Sequence, residues 1–366
     1  MPLTPEQRQV RDAARVFADK EITPYAAIWD RAGGAPREIY RAMADIGLMG
    51  VTIDPAYGGT GADFVAYALA IEEISAADGG ISNVMAANNS PVAVALQNLG
   101  TDWQKEHYLA KLTSGEWIGC IQLTEPHTGS DAAAITTSAT RAGDDYIIDG
   151  HKAFVTAGSI ADLALIVAVT DSAAGKREIT AFITPTDNPG YEVVRTESKL
   201  VHRTNDTCEI RLNQMRVPAC DVLGEPGRGL SIALENLSLG RIGVAAQATS
   251  GARAALNAAR DYSQTRETFG KPIGEHQAIA FKLADMATQV EAARQLYLHA
   301  ARLKDAGAEC IREASMAKLF ASEVAERVAS DAIQIHGGYG YPNDFPVEKI
   351  YRDVRIYQIH EGTSEV

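Results

Sequence analysis

Long apolar runs are missing from this sequence of 366 residues, and none approaches the roughly 20 residues that a membrane-crossing helix needs. Cysteine is scarce. Cys120, Cys208, Cys220 and Cys310 are scattered, with no CxxC spacing, which excludes a zinc ribbon or a paired redox motif. They fit reduced thiols in a cytoplasmic protein. The eight histidines form no HxxxH-type pair, so no metal site is expected. Positive charge is also short. Lys and Arg number 34 against 47 Asp and Glu, for a net charge of −13, and no basic run interrupts the balance. Non-specific nucleic-acid binding is therefore not expected, and an anionic ligand would need a local basic site.

What is present reads as a folded enzyme-sized chain. Hydrophobic residues make up 46% and charged residues 22%, well away from the composition of disorder. The length calls for two or three compact units. The N-terminus has no signal-peptide pattern. Thr4 suits a helix cap, Pro5 the first helical position and Gln7 the return half of a capping box.

Three parts follow from periodicity. Residues 1–118 show helical spacing at Gln7–Asp19, Pro36–Ile46, Phe64–Ala77 and Thr101–Ser114. Residues 119–227 change to short strands: Leu163–Thr170, Glu178–Thr184, Tyr191–Arg195 and Cys208–Val217. Asp149-Gly150 inside Tyr146–Thr156 predicts a hairpin turn between two further strands. Residues 228–366 return to helix, with long Ala-rich segments at Ser231–Gln264, Gln277–Lys304 and Cys310–His336. The expectation is an α+β multidomain chain: a helical domain, an antiparallel β-barrel or sandwich, and a four-helix bundle.

Two stretches carry chemistry. One is Tyr351–Val366, in which His360-Glu361-Gly362-Thr363 follows an amphipathic helix pattern. The other is Thr124-Glu125-Pro126-His127-Thr128-Gly129-Ser130-Asp131, at the junction of helical and strand parts. As plain sequence these are a solvated terminus and a polar turn. Together they resemble acyl-CoA dehydrogenases, and the resemblance covers essentially the whole chain, closest in motifs to the short-chain, butyryl-type branch.

The resemblance implies FAD as cofactor and Glu361 as the base that takes a proton from the carbon beside a thioester. It gives Leu123, Thr124, Gly129 and Ser130 to the flavin, with Ser130 also beside the acyl-CoA. Phe154, where the family usually has Trp, would pack on the flavin, and Thr156 would donate to it. Arg266, Thr268, Phe269 and Gln277 resemble the element that reaches FAD held mainly by a neighbouring subunit, and Gln334 and Gly338 the element at its adenosine. Thr363 and Glu365 would complete the cofactor contacts. Ser238, Arg241 and Gly362 would meet the acyl-CoA. Some branches carry the base at the position of Gly240, and here that position has no side chain. The implied partners are an acyl-CoA thioester, an electron-transfer flavoprotein, and further copies of the chain in a homotetramer or dimer.

Three departures stand out. His360 replaces the usual Tyr before the base and is expected to perturb the pH profile. The loop Lys199–Thr207 keeps Arg203 and Thr207 but has Val201 for the usual Gly and Asn205 for the usual Ser. Ser238 replaces an acidic residue common in straight-chain members. Two other readings compete with a dehydrogenase. A flavin oxidase or monooxygenase on the same scaffold would commonly lack Glu361, and a non-catalytic acyl-CoA-binding oligomer would be colourless. A nicotinamide enzyme is disfavoured, because Gly58-Gly59-Thr60-Gly61 sits in no strand–GxGxxG–helix unit.

Overall fold

A computed structural model describes residues 2–171 and 175–366. The expected capping box starts the chain: the Thr4 N–H donates to the Gln7 side chain and the Gln7 N–H donates to Thr4 Oγ1. Helix α1 (Pro5–Phe17) follows, then α2 (Ala26–Ala32), α3 (Glu38–Asp45), α4 (Phe64–Ala77) and α5 (Gly79–Ala87). After α5 the backbone kinks at Ser90, which is extended, because Pro91 has no N–H to continue the helical bonds. Helices α6 (Val94–Leu99), α7 (Asp102–Gln104) and α8 (Ala110–Thr113) complete this part. Asn88 and Asn89 tie the kink to the rest: Asn88 donates to the Met49 carbonyl and accepts from the Gly119 N–H, and Asn89 donates to the Leu48 carbonyl.

The middle part is one curled, mixed sheet. Its strands are β1 (Gly119–Gln122), β2 (Ser138–Ala142), β3 (Asp145–Thr156), β4 (Leu163–Asp171), β5 (Arg177–Pro185), β6 (Tyr191–Thr196) and β7 (Thr207–Pro218). The order is β1-β4-β2-β3-β7-β6, with β5 on β4. Most pairings are antiparallel, but β1 runs parallel to β4, so the sheet is not purely antiparallel.

Asp149-Gly150 does not make the expected hairpin turn. Both residues lie inside the continuous strand β3, where the register against β7 shifts between Ile148 and Gly150. The Asp149 carboxylate accepts from the backbone N–H and side chain of Gln214, itself left-handed at φ 47°. A Cβ on Gly150 would sit 2.4 Å from Thr137 Oγ1, so the glycine permits close strand approach and not a reversal.

The last part contains α9 (Gly229–Thr265), α10 (Gln277–Asp305), α11 (Ile311–His336) and the short α12 (Val347–Val354). A two-residue hairpin, β8 (Glu267–Thr268) and β9 (Lys271–Pro272), joins α9 to α10. Helix α4 packs into this bundle, and residues such as Tyr67 and Ile71 share one core with Ala245, Ala293 and Ala325. Alanine lets these long helices approach closely, which is why the bundle is poor in large side chains. The buried Glu72 of α4 pairs with Arg253 of α9 and Arg294 of α10, each at 3.1 Å. The first and third parts are thus pinned together by charge as well as packing. No helix among the described residues is long and apolar enough to cross a membrane.

Candidate active site

The Glu361 segment is built to aim one carboxylate inward. After α12 the chain makes a tight turn in which the Ser364 N–H donates to the Gln358 carbonyl at 3.0 Å. Glu361 and Gly362 are both left-handed, at φ 51° and 95°. A non-glycine residue adopts that conformation at a cost, of order 1–3 kcal/mol, so the surroundings must hold it. They do so from two helices. The Lys318 ammonium of α11 donates to the Gly362 carbonyl. Arg241 of α9 lies against Gly362, where a Cβ would meet Nη2 at 3.4 Å, and donates to Ser315 of α11 at 2.7 Å.

Glu361 Oε2 is shut off from solvent without a hydrogen-bond partner among the described residues. It lies over Gly240: a Cβ there would be 2.3 Å from this oxygen. Burial pushes the carboxyl up to about 7, against the pull of the Lys318 and then the Arg241 cation. Tyr67 of α4 faces the same helix one turn on, its hydroxyl 3.3 Å from where a Cβ on Gly243 would stand. That hydroxyl is also buried and without a partner among the described residues. Burial and the Glu361 charge both disfavour its ionisation. The sequence reading missed Lys318 and Tyr67. Each sits in an ordinary helical pattern and becomes notable only through a distant chain segment.

At the junction loop, Leu123 and Thr124 are half-buried while Gly129 and Ser130 are exposed. The Glu125 carboxylate fixes the loop, accepting from the Thr136 and Thr137 N–H groups at 2.7 and 2.9 Å. Lys152 of β3 donates to it at 2.8 Å and to the Leu123 and Val167 carbonyls at 3.2 and 2.8 Å. Just beyond Lys152 the β3 register shifts again, and Phe154 is left-handed at φ 56°. The bulge turns its ring outward, 66% exposed, on a strand whose neighbours Ala153 and Val155 are buried. Thr156 faces α5, where Asn83 donates to its hydroxyl at 3.3 Å. An outward aromatic on a strained bulge beside a backbone-lined loop offers a flat ring ligand a stacking face and hydrogen-bond groups.

The remaining candidates are spread over an open face. Arg266, Phe269, Gln277, Gln334 and Gly338 are all exposed, Phe269 by 98%. Phe269 is held left-handed at φ 52° at the tip of the β8–β9 hairpin, and Thr268 bonds His276 at 3.2 Å. Arg266 sits over the Tyr339 ring at 5.7 Å. Ser238 is turned back on its own helix, donating to the Leu234 carbonyl at 2.7 Å. Thr363 is half-buried and Glu365 exposed beyond the Glu361 turn. The structure therefore brings Glu361, Gly362, Arg241 and Gly240 together, and leaves Arg266, Phe269, Gln334 and their neighbours facing outward within one chain.

Comparison with known proteins decides the family. The N-terminal, middle and C-terminal domain models of acyl-CoA dehydrogenase match residues 4–116, 120–215 and 227–366. The chain belongs to the acyl-CoA dehydrogenase family. An acyl-CoA dehydrogenase of Bacillus subtilis is 44% identical, covering 100% of this chain and 97% of its own. A 3-(aryl)acrylate reductase of Clostridium sporogenes is 43% identical over 100% and 97%. Among solved structures, butyryl-CoA dehydrogenase of Megasphaera elsdenii superposes with a TM-score of 0.97 at 40% identity, over 100% of this chain and 96% of that one. A glutaryl-CoA dehydrogenase of Mycobacterium smegmatis in complex with FADH2 gives a TM-score of 0.94 at 31% identity, over 99% and 92%.

As an acyl-CoA dehydrogenase the chain is an FAD-dependent oxidoreductase. Its departures from the usual pattern have structural consequences. The altered 199–207 loop places its left-handed residue at His202, φ 51°, while Val201 is buried. Lys199 closes the loop by donating to the Asn205 carbonyl and Thr207 hydroxyl at 2.8 and 3.0 Å. The His202 N–H donates to Asp353 at 3.0 Å, so the loop is locked to α12. His360 lies 5.7 Å from the Tyr357 ring, and Tyr357 lies 5.4 Å from His202. Burial pushes both imidazoles down to about 3. That direction favours the neutral imidazole at His360, and its effect on the pH profile is read by comparing the parent with His360→Tyr.

Proposed function

We propose that this acyl-CoA dehydrogenase removes the α and β hydrogens of a short saturated acyl-CoA thioester to give the trans-2-enoyl-CoA, with Glu361 as base. The observation that carries this reading is the carboxyl of the half-buried Glu361: its Oε2 is closed to solvent and has no hydrogen-bond partner among the described residues, and burial pushes the group up to about 7. A carboxylate satisfied by hydrogen bonds makes a poor base, whereas one with an open oxygen and a pKa near the working pH can take a proton. Glu361 accepts the α-hydrogen as a proton. Its backbone N–H would donate to the thioester oxygen as charge develops there. FAD, when bound, accepts the β-hydrogen with its electron pair.

The other residues divide by place. Leu123, Thr124, Gly129, Ser130, Phe154 and Thr156 hold the flavin from the same chain, with Thr363 and Glu365 beyond the base. Arg266, Thr268, Phe269, Gln277, Gln334 and Gly338 reach the FAD of a neighbouring subunit, a role supported by the outward-facing Phe269 and Arg266. That arrangement makes the protein an obligate oligomer, which we assign as a homotetramer. Ser130, Arg241 and Gly362 meet the acyl-CoA, and Ser238 lies at the edge of its site. Tyr67, 1% exposed, faces α9 one turn from Gly240, and we assign it to the wall of the acyl site. An electron-transfer flavoprotein reoxidises the cofactor, in the cytoplasm.

The test is anaerobic bleaching of the flavin by a panel of acyl-CoAs from propionyl to palmitoyl. Bleaching by butyryl-CoA and not by palmitoyl-CoA is expected. A protein that no thioester bleaches overturns the reading. The similarity to an arylacrylate reductase supplies the second reading, in which the same site runs toward reduction. Rapid reoxidation of the dithionite-reduced protein by a 3-arylacrylyl thioester, without bleaching by any saturated one, would select it.

A further inference from the structure

One face of α11 is turned toward the segment that carries the base. Ser315, Lys318 and Ser322 recur on it at three- and four-residue spacing. Ser315 accepts from Arg241 and the Ser322 carbonyl accepts from the Gln358 side chain at 3.4 Å. Lys318 stands between them, only 4% exposed. Its ammonium donates to the Gly362 carbonyl. A lone neutral carbonyl offsets only part of the burial of a cation.

We propose that Lys318 is a positioning residue for the base: it clamps the Gly362 carbonyl, fixes the left-handed Glu361-Gly362 turn, and sets its cation beside the carboxylate. The inference rests on Glu361 being the base. The charged and titratable groups around the pair are few. Arg241 faces it from α9, Tyr67 from α4, and His360 and the exposed Glu365 from its own segment. Burial pushes Lys318 down to about 8, the Glu361 charge resists that shift, and Arg241 adds to it. Lys318 is the larger of the two cationic influences that hold Glu361 from rising further. The same contact therefore does two things. It removes the freedom of a turn that non-glycine residues seldom adopt, and it keeps a buried carboxylate ionised enough to accept a proton.

The test compares Lys318→Met, which removes donor and charge, with Lys318→Gln, which keeps a donor but no charge. Both are assayed as flavin-loaded enzyme, with kcat and KM for butyryl-CoA measured against pH. In Lys318→Met the acid limb of kcat/KM is expected to move up by about one pH unit, with kcat down at least tenfold and KM changed less than threefold. In Lys318→Gln the limb moves equally but kcat recovers in part. An unmoved limb in flavin-replete Lys318→Met overturns the proposal. Failure of both variants to fold overturns it too, because Lys318 would then be holding the fold and not the base. Glu361→Gln, run in parallel, separates the readings. If it remains active, the base assignment fails. If it is inactive while the Lys318 limb stays put, only the role of Lys318 fails.

Discussion

Glu125 and Glu361 each stand near a buried lysine, and they behave in opposite ways. Glu125 and Lys152 meet directly at 2.8 Å, and Thr136 and Thr137 occupy the rest of the carboxylate. Burial opposes the Glu125 charge, but the Lys152 cation and these donors outweigh it and pull the carboxyl down to about 2. Glu361 and Lys318 share a neighbourhood without such a bond, because the ammonium is engaged by the Gly362 carbonyl. Glu361 Oε2 is left open, and burial carries the carboxyl up to about 7. The same two residue types thus make a rivet in the junction loop and an unpaired carboxylate oxygen in the Glu361 turn. What separates them is how many donors reach the carboxylate.

The contrast can be broken most sharply at Glu361. Glu361→Gln keeps the volume and removes the proton acceptor, so turnover should fall by about 10²–10⁴-fold with the flavin retained. Steady-state kinetics and the visible spectrum read both. At the rivet, Lys152→Met leaves a buried carboxylate and two carbonyls without their cation. It should lower stability by about 3–5 kcal/mol, measured by denaturant unfolding, and leave the acid limb of any residual activity where it was. Next in size is Gly240→Ala, whose Cβ would collide with Glu361 Oε2. The carboxylate must shift by an ångström or more, and kcat should fall by about 10²-fold with little change in melting temperature.

The smallest effect is the most diagnostic, because the two glutamates should carry opposite pH signatures. Glu125 is held below the usual value, so its contribution to stability is present above about 4.5 and is lost as pH falls toward about 2. Glu361 is held above it, so its contribution is present below about 4.5 and is lost as pH rises through about 7. Glu361→Gln should consequently be more stable than the parent at pH 8, by about 1–2 kcal/mol once partial solvent contact is allowed for, with no gain at pH 4. Equal stabilities at both values would remove the distinction.

Much of this was legible in the sequence where a pattern is local. The capping box at Thr4–Gln7, the long helices of the last part and the Glu361-Gly362-Thr363 turn all depend on residues a few positions apart. The parts that were not legible depend on the partner. Asp149-Gly150 looks like a hairpin turn, but whether it turns or bulges is decided by Gln214 and Thr137 across the sheet. The short helices α2, α5 and α6 gave no readable signal, and α5 is buried on nearly every face, so it has no amphipathic stripe to read. Asn88 and Asn89 tie loops together through the Met49 and Leu48 carbonyls, contacts that no local pattern announces. Lys318 looks like a solvated residue on an Ala-rich helix until the end of the chain returns to cover it. Arg266 and Phe269 were legible as a motif, and within one chain they face outward.

The emptiness of Gly240 has a consequence for how this site can change over time. Two positions far apart in sequence share one small volume, and only one of them can fill it. A carboxylate arriving on α9 would have to displace the one that now comes from the chain's end, so the first step of any such relocation is harmful unless Glu361 is lost as well. The site thus behaves like a single seat with two doors. Lineages that enter by different doors would keep the same chemistry, and each would find the other's solution closed to single substitutions.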